Sequence, residues 1–285
     1  MKNLTALLSA GLLLLGMLHA SPAAPTSQPP VSPVTPDVTV VSGVAQLIHD
    51  VLMLQFEKSS DTDTQYYENG VWHFKNEEKF RSVQGGPASA AAVLWKWQAQ
   101  HAGDLPEALK PQGTPEKQEW LRRIAVETLD RSIQDHCRPT GEFAPQADSQ
   151  SPEIAMKFFG VELGAAYLAL QDTLDEPTRQ RWRKTLTGSV NFLLKNGNLS
   201  DGTPGHRNWY TNGNIELGEA ELLYLTWKAT GESKYQGLFE LQWGFMLSPL
   251  QERWKGFGLR YSKEPAKDDG SDGAGYLAEK GSGEP

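Results

Sequence analysis

The chain has 285 residues, 39% of them hydrophobic and 22% charged, and a formal net charge of -8. That length can bury a substantial core as one large domain or two small ones, whereas the acidic balance excludes a nucleic-acid surface, which needs clustered Lys and Arg. The single cysteine, Cys137, excludes an intramolecular disulfide framework and a Cys-rich zinc site, so packing must hold the fold together.

Lys2, the apolar run from Leu4 to Leu18 and the small residue Ala20 predict a secretory signal peptide over 1–20. The run is short for a membrane span and is followed by Ser21, Pro22 and Pro25. The expected protein is therefore secreted or periplasmic, with no membrane attachment after cleavage. Residues 21–39 are rich in Pro, Ser, Thr and Ala and read as a linker.

Folding is expected from residue 40 onward. Val44, Leu47, Ile48, Val51 and Leu52 repeat at helical spacing and predict a first helix over 41–58. Gln65–Glu68 and Val71–Phe74 flank Asn69-Gly70 and predict a small β-hairpin near the N-terminus. Helical patterns then follow one another to residue 245. The first covers Ala88–Gln100. Thr114-Pro115 opens the second, with a cap and a first-turn proline, and Ser151-Pro152 opens the third in the same way. Asp175 with Pro177 opens a helix through Trp182, Leu186 and Val190, with Gly197 placed to close it. Asn212–Ala229 is apolar nearly all round, which predicts burial on most sides, and Ser233 starts a last helix after a short turn. From Gln251 the periodicity fades into a Gly-, Lys- and Asp-rich tail, expected to be a long loop or irregular β segment.

Short connections between these helices predict an all-α fold of antiparallel helical hairpins in two layers. Three stretches resemble the (α/α) toroid carbohydrate-active enzymes, the superfamily of chondroitin AC, alginate and heparinase-type polysaccharide lyases. They are Ala166–Leu170 followed by Leu174–Arg179, then Arg207-Asn208-Trp209, and Thr230–Tyr235. The resemblance implies that residues 40–285 form one toroid domain. Such toroids have more hairpins than this chain supplies, so the ring is expected to be incomplete, truncated at its C-terminal side, with an open edge suited to self-association.

The resemblance also implies a β-eliminating lyase acting on an acidic, uronate-containing polysaccharide. The residues suited to that chemistry gather in Asp201–Gly231, where a polar loop runs into an apolar helix and backbone N–H groups can receive anionic or hydroxyl groups. Asn208 or Arg207 could neutralise the uronate carboxylate and stabilise the enolate-like intermediate. His206 or Tyr210 could serve as base and a tyrosine could return the proton to the leaving oxygen, for which its ordinary pKa of about 10 must be lowered by a neighbour such as Arg207. Trp209, Asn212, Glu216 and Tyr261 are the candidate substrate contacts, although Trp209 also fits a structural role and Asn212 a helix cap. Neither metal nor cofactor is needed. Asp268, Asp272, Gly273 and Glu279 have part of a calcium-loop spacing, but Gly270 stands at a ligand position, and a solvated acidic loop explains the run.

Two alternatives stay open. A glycoside hydrolase of an α/α barrel would use paired carboxylates, with Glu216 and Glu219 the best local candidates. A non-catalytic glycan-binding protein or inactive fragment would bind without turnover.

Overall fold

The computed structural model describes residues 65–68, 71–74, 86–101, 110, 113–142, 152–196 and 213–247. The expected helix over 41–58, residues 1–39 and the tail from 251 lie outside the described residues. Strands β1 (Gln65–Glu68) and β2 (Val71–Phe74) pair antiparallel, Gln65 opposite Phe74 and Glu68 opposite Val71. The remaining elements are helical: α1 (Gly86–Gln100), α2 (Pro115–His136), α3 (Pro152–Leu170), α4 (Glu176–Lys195), α5 (Gly213–Thr230) and α6 (Ser233–Leu247). The all-α class expected from the periodicity is therefore observed.

Local chemistry sets the helix ends. Thr114 caps α2 through its hydroxyl, which accepts from the Lys117 N–H, and Pro115 fills the first helical position, where a missing N–H costs nothing. Asp175 caps α4 by accepting the Thr178 N–H at 2.7 Å. That hydrogen bond holds the Asp175 carboxyl below the usual carboxylate range. At the far end of α5, Gly231 takes φ 73° and its N–H returns to the Trp227 carbonyl at 2.7 Å. A residue without Cβ reaches that left-handed conformation freely, and this lets α6 start at Ser233 and run back along α5.

Long-range pairings give the direction of each helix. Lys157 of α3 meets Glu219 of α5, Gly160 lies against Leu222, and Gly164 against Leu225. These contacts advance together along both helices, so α3 and α5 are parallel. Likewise Gly86 at the start of α1 lies against Glu162, and further along the Lys96 ammonium donates to the Leu168 carbonyl at 2.8 Å. Hence α1, α3 and α5 run side by side in one direction. Helices α2, α4 and α6 return antiparallel to them, each packed against its hairpin partner.

Charge and apolar burial join the second layer. The Arg181 guanidinium donates twice to the Asp130 carboxylate, at 2.6 and 2.9 Å, and the Trp182 indole N–H donates to the same group at 3.2 Å. Asp130 thereby ties α2 to α4 and satisfies an indole whose side chain is otherwise fully buried. Between the layers lies one core, with Leu94, Leu121, Leu129, Phe159, Leu163, Trp182, Leu186 and Leu222 among its members. Among the described residues, no helix is long and apolar enough to cross a membrane.

Candidate functional site

Helices α1, α3 and α5 point the same way, but Gly86 at the start of α1 lies beside Glu162, midway along α3, so only α3 and α5 begin level with each other. The chain segment His206–Asn212 leads directly into Gly213, the first residue of α5. Buried charge lies in the second turns of α3 and α5, at Lys157 and Glu219, and midway along α3, at Glu162.

Lys157 and Glu219 form an ion pair with both side chains removed from water. Gln242 joins them because α6 folds back along α5, and its amide donates to the second Glu219 oxygen at 3.3 Å. Charges at such depth are stable only when paired and hydrogen-bonded. The arrangement therefore locks α3, α5 and α6 into one register. The Glu219 carboxylate, a candidate for hydrolase chemistry, is buried in the interior and held by Lys157 and Gln242. On the opposite flank of α3, the Glu162 carboxylate lies 3.1 Å from where a Cβ on Gly86 would stand, so the glycine makes room for it at the start of α1.

The layer also has a face turned away from the second layer. On α3, Phe158, Val161, Ala165 and Leu168 form a half-buried line at helical spacing. The other faces are occupied: Gly160 and Gly164 meet α5, Glu162 meets α1, and Tyr167 lies within the field of Arg179 and Arg183 of α4. On α5, Leu217, Glu221 and Lys228 occupy the equivalent line, because Leu222 and Leu225 meet α3 whereas Tyr224 and Trp227 meet Phe239 of α6. Burial pushes the Glu221 carboxyl up to about 7. Sequence reasoning passed over this residue in favour of Glu219. The available signal was an acidic side chain set in an otherwise apolar helix, and the bias toward Glu219 came from spacing to Glu216 alone.

Of the residues expected to carry function, His206, Arg207, Asn208, Trp209, Tyr210, Asn212 and Tyr261 lie outside the described residues, as does the acidic run 268–279. Glu216 lies in the first turn of α5. The described tyrosines Tyr167, Tyr224 and Tyr235 all have their phenols pushed up by burial, opposite to the shift a tyrosine base requires. Burial likewise raises the Cys137 thiol, which makes it a poor nucleophile. Among the described residues no group of three or more His, Cys, Asp or Glu side chains is placed to hold a metal ion. Compared with known proteins, the chain matches no family model and no curated sequence.

Proposed function

We propose that the protein is a secreted polysaccharide lyase that cleaves a uronate-containing polymer by β-elimination, built on an arc of an (α/α) toroid. The observation that carries this reading is the parallel run of α1, α3 and α5, with buried charge gathered toward the end at which His206–Asn212 leads into α5. Parallel inner helices returned by antiparallel outer ones are the repeating unit of such a toroid. Loops at one end of that unit are where polar ligands are met, since helix N-termini offer unsatisfied N–H groups to an anionic substrate.

In this scheme Asn208 and Arg207 hold the uronate carboxylate, and His206 or Tyr210 removes the C5 proton. Trp209, Asn212, Glu216 and Tyr261 contact the sugar chain. No cofactor takes part. The signal sequence accounts for secretion, and the edge beyond α5 and α6 is proposed as a surface for self-association; there Leu241 is 41% exposed beside the half-buried rings of Phe239 and Trp243.

The test is incubation of the full chain with a panel of uronate polysaccharides while following the absorbance of unsaturated product together with reducing ends. A rise in both is expected. Asn208→Ala should lower kcat by about 100-fold or more, the scale of losing one group that stabilises developing charge. Full activity in that variant would remove Asn208 from the mechanism. The second reading, a glycoside hydrolase, is favoured by the raised Glu221 carboxyl and weakened by the commitment of Glu219 to Lys157. It predicts reducing ends without unsaturated product.

A further inference from the structure

We draw no further inference here: the strongest candidate, the aromatic patch that Tyr224 and Trp227 of α5 form with Phe239 and Trp243 of α6, belongs to the edge already proposed for self-association, and nothing in the structure shows what covers it.

Discussion

At the scale of single residues, two glutamates two positions apart on α5 have opposite fates. Glu219 turns inward and is held by Lys157 and Gln242, whereas Glu221 turns outward into half-apolar surroundings. Removing one partner of a buried pair leaves the other poorly compensated, so Lys157→Ala should destabilise the fold by about 3–5 kcal/mol. Replacing both, with Lys157→Met and Glu219→Leu, should cost far less, and urea unfolding of the three proteins would show the contrast. Glu221 gives a prediction with a definite sign. Its folded pKa of about 7 lies above the ordinary value of 4.5, so between those pH values the folded state holds a proton that the unfolded state has released. Stability therefore falls as pH rises through that window and levels off above about 7. Glu221→Gln removes the penalty: thermal unfolding should show it equal to wild type near pH 4 and more stable at pH 8, by on the order of 2 kcal/mol after allowance for partial exposure.

At the scale of elements, α3 and α5 approach each other closely, and glycine permits it. A Cβ at Gly164 would stand 2.6 Å from the Leu225 Cβ, an atom fixed to the α5 backbone. A Cβ at Gly160 would meet Leu222 Cδ1 at the same 2.6 Å, but that atom is the end of a side chain that can rotate. Gly164→Ala should therefore push the helices apart and cost about 1–3 kcal/mol despite the better helix propensity of alanine. Gly160→Ala should cost clearly less, and melting temperatures of the two variants would rank them. The starts of α2 and α4 were legible from a few residues, Thr114-Pro115 and Asp175 with Pro177, because a cap is a contact between neighbours in sequence. The tight α3–α5 seam was not, because Gly160 and Gly164 declare their role only beside Leu222 and Leu225.

At the scale of the whole molecule, the described helices form two layers in which like runs beside like: α1, α3 and α5 in one direction, α2, α4 and α6 in the other. Two of the reversals follow from short turns, Gln171–Asp175 between α3 and α4 and Gly231–Glu232 between α5 and α6, which send each helix back along its predecessor. The alternation gives every odd-numbered helix the same direction, and it turns one face of that layer away from the other layer. The His206–Asn212 segment precedes α5 in sequence, and Glu221 stands on the face of α5 turned away from the second layer.

The amino-acid order alone determined the all-helical class, the bounds of α1 to α6 to within a few residues, and the gathering of His, Arg, Asn and Tyr ahead of α5. These rest on interactions within about one helical turn, or on composition, and both can be read along a line. Only the tertiary structure decided which acidic side chain is committed and which is left available. Lys157 and Glu219 are 62 positions apart, and Gln242 is 23 beyond Glu219. Burial and charge pairing between such residues are properties of the packed array, and it is the packing of α3 and α6 against α5 that separates a structural Glu219 from a titratable Glu221.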